Sequence, residues 1–91
     1  MTPEQKDTAG YCIKLTKFYE NRWQTDLMDT KFIPDRDGLT TRIEALKYIR
    51  GVLEALLGGK VGVKTTEEAV LLRGMQGRLN VLLDAHRNST A

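Results

Sequence analysis

Two residue types that often take part in catalysis occur once each in this chain, as Cys12 and His86. Nucleophilic catalysis would require the thiol, the imidazole and an orienting acid to converge. Nothing in the spacing places such an acid beside Cys12 and His86. We therefore interpret Cys12 as a small core residue and His86 as a residue near a helix C-terminus, where a positive charge is favourable. One thiol and one imidazole also supply too few metal ligands, so the sequence predicts a protein that is not an enzyme and that holds no metal or cofactor.

The segment 58–66, Gly-Gly-Lys-Val-Gly-Val-Lys-Thr-Thr, contains the residue types of a phosphate-binding loop. The motif requires a glycine directly before the Lys-Ser/Thr pair and a strand before the loop. Here Val63 precedes Lys64, and the preceding segment has a helical pattern. Backbone N–H groups at a helix N-terminus flanked by Lys60 and Lys64 still make an anion site conceivable. A plain connector between two helices is the favoured interpretation.

The segment Asp35-Arg36-Asp37-Gly38 shares its acidic residues and its glycine with a calcium-binding loop. If Gly38 were the sixth position of such a loop, the first would be Ile33, which has no oxygen ligand to offer. The sequence therefore predicts a solvated acidic turn here and no calcium site.

Composition narrows the classes of function further. Fourteen basic and twelve acidic residues give a formal charge of +2, and the two signs interleave along the chain, which is not typical of a dedicated nucleic-acid binder. A single cysteine in a chain of 91 residues favours a reducing cytoplasm. The opening residues have neither the basic start nor the apolar run of a signal peptide. Apolar runs of only a few residues predict no membrane span.

The elements that must position any site are helices. Thr2, Pro3 and Gln5 form a helix-start signature with a capping box. Apolar side chains then recur at steps of three and four, which predicts a first helix over 3–28. They are Tyr11, Cys12, Leu15, Phe18, Tyr19, Trp23 and Leu27.

Two further helices are predicted after a loop over 29–39, which contains Pro34 and the turn signal Asp37-Gly38. A second helix over 41–57 would begin at a capping box, Thr41 to Glu44, and end at Gly58-Gly59. A third, over 66–87, would begin at the Thr65–Glu68 capping box, and its apolar face would include Val70. Interior glycines at 51, 74 and 77 indicate either that these two helices cross closely, which is the simpler interpretation, or that they form a slot for a neighbouring protomer.

Together these segments predict one all-α domain over 1–91. It is a three-helix bundle in which a long N-terminal helix packs on an antiparallel helical hairpin. Ninety-one residues allow one core and no more.

The first helix carries four of the six aromatic side chains. Core packing is the favoured interpretation of these rings, but a single helix face is too narrow to bury all of them against a hairpin. The remainder predicts a surface that binds another protein or a second copy of this chain as a homodimer. The candidate partner-binding residues are Tyr11, Phe18, Tyr19, Arg22 and Trp23.

The sequence thus predicts a small regulatory or accessory module that presents a helical face to a protein partner. The alternative is a nucleic-acid-binding accessory protein that uses lysines and arginines dispersed over the helix surfaces, and it would bind in a salt-dependent way.

Overall fold

The computed structural model of this chain describes residues 2–29, 36–59 and 65–90. Those residues form helices α1 (Pro3–Asp29), α2 (Arg36–Leu57) and α3 (Thr65–Thr90). The three helices pack side by side in a body of 46 × 20 × 18 Å. The predicted all-α, three-helix bundle is confirmed.

The start of α1 is fixed by the capping box that the sequence predicts. The backbone N–H of Gln5 donates to the Thr2 hydroxyl over 3.2 Å. In return, the N–H of Thr2 donates to the Gln5 side-chain oxygen over 2.9 Å. Two N–H groups that would otherwise lack partners at the helix start are satisfied in this way.

The predicted start of the second helix is wrong, because α2 begins at Arg36 and not at residue 41. The hydroxyl of Thr41 donates to the carbonyl of Asp37 over 2.9 Å, so Thr41 lies inside the helix and caps nothing. Leu39 explains the extension, since it continues the apolar stripe one turn earlier and is buried. Asp37 also favours a helix start here through its charge in the first turn.

The end of α2 is the predicted glycine cap. The N–H of Gly58 donates to the carbonyl of Glu54 over 2.9 Å, and that of Gly59 donates to the carbonyl of Leu56 over 3.3 Å. Gly59 has φ of +66°, the left-handed conformation that glycine adopts without a steric penalty.

The helix α3 extends from Thr65 to Thr90, slightly beyond the predicted 66–87. The side chains of the predicted cap at 65 and 66 lie outside the described residues, as do the rest of the first loop (30–35) and the connector (60–64). The connector and the alternative anion site at 58–66 therefore both stay predictions, as does the loop around Pro34.

The core is organised around α2, which makes its most extensive contact with α1 and a smaller one with α3. Six side chains of α2 are buried at helical spacing: Leu39, Ile43, Leu46, Ile49, Leu53 and Leu56. Leu72, Met75 and Leu79 meet this stripe from α3. Each fully buried aliphatic side chain of this kind stabilises the fold by about 1.5–3 kcal/mol.

The buried face of α1 differs in part from the predicted apolar stripe. Ala9, Ile13 and Thr16 are buried, together with Cys12 and Trp23, whereas positions 11 and 18 of the stripe are exposed. Thr16 tolerates burial because its hydroxyl donates to the carbonyl of Ile13 over 2.7 Å, which removes the cost of an unsatisfied polar group. Small and polar residues thus fill core positions that the predicted apolar stripe did not include.

A partly buried polar contact joins α1 to α2. The guanidinium of Arg50 donates to the Glu20 carboxylate over 2.9 Å, and the two side chains are 20% and 17% exposed. Partial burial reduces solvent screening, so this pair contributes more than a surface ion pair does.

The glycines inside α2 and α3 do not permit a close helix crossing, so that interpretation is wrong. A Cβ atom added at Gly51, Gly74 or Gly77 would meet nothing within 4 Å. Each interior glycine costs a helix about 1 kcal/mol relative to alanine. No close approach within the described bundle offsets that cost.

We expect Gly77→Ala to raise the free energy of unfolding by about 1 kcal/mol, because the new methyl group enters open space and improves helix propensity. The matched change Gly59→Ala should lower it by about 1 kcal/mol, since alanine is strained at positive φ. Urea unfolding followed by circular dichroism measures both. Destabilisation by Gly77→Ala would contradict the open surroundings of that residue.

We expect Glu20→Gln to lower the free energy of unfolding by about 1–2 kcal/mol, because it removes a charge-assisted hydrogen bond between helices. The control is Glu44→Gln, which removes the exposed contact with Lys47 at 3.8 Å and should change stability by less than about 0.5 kcal/mol. Equal effects in thermal unfolding would show that the Arg50–Glu20 contact adds nothing beyond a surface pair.

Candidate interaction surfaces

The structure separates the predicted partner-binding residues of α1 into two groups. Tyr11, Phe18 and Arg22 are exposed on the surface, and Tyr19 is half-buried. Trp23 is 0% exposed, so its side chain belongs to the core and is not accessible to a partner. Its place at the predicted interface is therefore corrected: the sequence pattern could not distinguish the buried edge of α1 from the exposed one.

The aromatic rings of α1 form a connected row that ends on α3. Phe18 meets Tyr19 edge to face with centroids 5.1 Å apart, and Tyr19 meets Trp23 at 5.6 Å. Trp23 then packs against the imidazole of His86 at 4.4 Å. Such ring contacts add about 0.5–1.5 kcal/mol each beyond buried area, so this row ties α1 to the C-terminal part of α3.

A hollow of about 280 Å³ lies beside this row, between α1 and α3. Four of the five predicted partner-binding residues line it, and Tyr11 does not. The lining residues are Phe18, Tyr19, Arg22, Trp23, Leu83, His86 and Arg87. The indole Nε1 of Trp23 has no hydrogen-bond acceptor among the described residues.

The surroundings of His86 lower the pKa of its imidazole. Burial lowers the pKa of His86 below its ordinary value of 6.5, and the positive charges of Arg42 and Arg22 lower it further, against an opposing effect of Asp26. The neutral ring is therefore favoured in the folded state. The expected role of His86 as a cation at a helix C-terminus is replaced by that of a neutral ring packed on Trp23.

Cys12 is a buried core residue, as the sequence predicts. Burial raises the pKa of its thiol, which disfavours the thiolate that a nucleophile or a metal ligand requires.

A larger groove of about 600 Å³ lies between α2 and α3, and no residue of α1 lines it. Its floor and walls are mostly apolar or lack a side chain. The lining residues are Ala45, Tyr48, Ile49, Arg73, Gly74, Gly77, Arg78, Val81, Leu82 and Ala85. This helical groove is open because Gly74 and Gly77 supply no side chains to fill it.

Large apolar side chains are exposed on and beside this groove. Tyr48 is 57% exposed and Val81 is 70% exposed. Val70, which the sequence pattern placed in the core, is also exposed on α3. The guanidinium of Arg78 lies 5.8 Å from the centre of the Tyr48 ring, within the range of a cation–π contact. That contact joins the two walls of the groove.

A second hollow of about 500 Å³ continues the groove along α2. Tyr48 lines both depressions. The second one is lined by Lys47, Tyr48, Gly51, Val52, Ala55 and Leu71. Val52 and Ala55, late in α2, therefore lie beside Leu71, early in α3, which means that these two helices run antiparallel.

The groove residues were not among the partner-binding residues that the sequence predicts. Gly51, Gly74 and Gly77 were the available signal, since interior glycines weaken a helix unless something approaches its backbone. Close packing within the bundle was the favoured interpretation of these glycines, and the structure excludes it. The alternative, a slot for a neighbouring protomer, stays a prediction.

Within residues 2–29, 36–59 and 65–90, no group of three or more His, Cys, Asp or Glu side chains is placed to hold a metal ion. Over the same ranges, none of the three helices contains a stretch that is long enough and apolar enough to span a bilayer.

Comparison of this chain with protein-family models, with curated proteins and with solved structures finds no match.

The surroundings of His86 predict a stability that depends on pH. Because its pKa is lower in the folded chain than in the unfolded one, the unfolded state binds the proton first as pH falls below about 6.5. The free energy of unfolding should therefore decrease as pH falls from 7 through this range. Urea unfolding at several pH values measures the decrease. His86→Phe keeps a ring against Trp23 and should flatten the curve between about pH 7 and pH 5.5; an unchanged slope would contradict the assignment.

Proposed function

We propose that this chain is a non-catalytic interaction module that binds another protein in the groove between α2 and α3. The observation that carries the proposal is the groove itself: a depression of about 600 Å³ with apolar walls and a floor of glycines that have open space above them. Grooves of this type receive a helix from a partner, whose apolar side chains fill the depression.

The energetics of the exposed surface support this function. Tyr48 and Val81 present large apolar areas to water, and burying such area is favourable by about 25 cal/mol per Å². Exposed apolar side chains gathered around one depression are typical of binding surfaces, unlike single ones scattered over a protein.

The shape of the two candidate surfaces favours the groove over the exposed edge of α1. Tyr11 and Phe18 lie two helical turns apart on the exposed side of one helix, so a partner would touch them from one direction only. The groove surrounds an inserted helix on two sides, which buries more area for the same length of partner.

The placement of charges makes nucleic-acid binding the weaker alternative. Arg50 is held by Glu20, and Lys47 and Arg87 lie 3.8 Å from Glu44 and Asp84. Basic side chains with acidic neighbours make a poor continuous track for phosphates.

The test uses the tagged chain to capture proteins from extracts of its native source. We expect a protein retained by the unchanged chain to be lost with Gly77→Met, which places a long side chain over the groove floor without disfavouring the helix. The matched control, Phe18→Ser, changes an exposed apolar residue on α1 and should retain the partner.

Circular dichroism verifies that both variants remain helical. Retention by Gly77→Met together with loss by Phe18→Ser would move the interface to α1 and overturn the proposal. Failure of the unchanged chain to retain any protein would overturn it as well.

A further inference from the structure

We infer that the occupant of the groove is an amphipathic helix of another protein, with Asp or Glu side chains flanking its apolar stripe. The inference rests on the proposed function and specifies the chemistry of the partner. It follows from the length, floor and charge of the groove.

The length of the groove fits a short helix. Along α3 its lining extends from Arg73 to Ala85, which corresponds to ~18 Å at 1.5 Å per residue. A partner helix of roughly 12 residues, or about three turns, matches that length.

The floor of the groove permits a close approach of backbones. Gly74 and Gly77 lie on α3 and Ala45 faces them from α2. Helix axes separate by about 8–10 Å according to the side chains between them. Residues this small favour the short end of that range, so apolar side chains of a partner helix can reach the walls at Tyr48 and Val81.

The charge of the groove is positive. Arg73 and Arg78 line it, and among the described residues no carboxylate lines the groove or the hollow that continues it. Among the described residues, no Asp or Glu lies within ion-pair distance of Arg73 or Arg78. Arginine binds carboxylates with two parallel hydrogen bonds, so acidic side chains on a docked helix would pair with both Arg73 and Arg78.

The Tyr48 ring holds the Arg78 side chain in place before a partner binds. Arg78 lies over the ring at 5.8 Å, which restricts its side chain before a partner arrives. A side chain already held in place loses less entropy when a carboxylate binds it.

A second copy of this chain fits the groove less well. In a two-fold dimer the same patch meets itself, so Arg73 and Arg78 of one copy would face those of the other without acids lining the groove to separate them. A nucleic acid would contact the two arginines with its phosphates but would leave the apolar walls exposed to water. Charge complementarity therefore selects the acidic helix.

The test measures binding of two fluorescent stapled peptides to the full chain by anisotropy. Both peptides carry leucines on one helical face; one has glutamates on the flanks and the other has lysines. We expect the glutamate peptide to bind at least about tenfold more tightly. The preference should shrink as the Debye length falls from about 30 Å at 0.01 M salt to about 3 Å at 1 M.

Two variants that reverse one charge each show whether the preference for the glutamate peptide arises in the groove. Arg73→Glu should weaken binding of the glutamate peptide by about tenfold and strengthen binding of the lysine peptide. Arg87→Glu changes net charge by the same amount on an arginine of α3 that does not line the groove, and it should alter both affinities by less than about twofold.

Equal affinities for the two peptides, or equal effects of the two reversals, would overturn the acidic-helix inference. Binding of neither peptide would overturn it as well, while a captured protein that is still lost with Gly77→Met would leave the proposed function in place. Two further outcomes overturn it: a concentration-dependent dimer in light scattering that Gly77→Met abolishes, and salt-dependent binding of duplex DNA that Arg73→Glu abolishes.

Discussion

The arrangement of this bundle depends on one apolar stripe, the row of leucine and isoleucine side chains along α2. Leu46 and Leu53 are completely buried in its centre, and both other helices pack against it. Because α2 is covered most extensively by α1, its contact with α3 is narrower and leaves one side of the pair open. The narrow contact between α2 and α3 and the missing side chains at Gly74 and Gly77 together leave the groove open.

The ends and the number of helices follow from local chemistry, and the sequence predicts them well. The reciprocal bonds of Thr2 and Gln5 and the left-handed Gly59 involve residues within a few positions of each other. The start of α2 is the exception, since threonine and glutamate at capping spacing also occur inside helices. Burial of Leu39, a tertiary effect, decides where that helix begins.

Which face of α1 is buried could not be predicted in the same way, because hydrophobic size alone does not distinguish the Tyr11/Phe18 edge from the Cys12/Trp23 edge. Thr16 enters the core after satisfying its hydroxyl within its own helix, and Ala9 is buried because it is small enough for a close contact. Phe18 is consequently rotated to the surface. The sequence could not locate the groove either: interior glycines such as Gly74 and Gly77 are compatible with close packing inside the bundle and with a slot for a neighbouring protomer, and only the three-dimensional structure excludes the first.

The interior glycines also bear on how much of the chain is folded at any moment. Those of α2 and α3 at positions 51, 74 and 77 meet nothing in the described bundle. Alanines at these three positions would raise the free energy of unfolding by ~3 kcal/mol. That amount corresponds to roughly a hundredfold larger unfolded fraction. A partner that binds only the folded chain restores such a deficit through mass action. The cellular lifetime of this protein would then depend on the abundance of its partner, with unbound copies removed first by proteolysis.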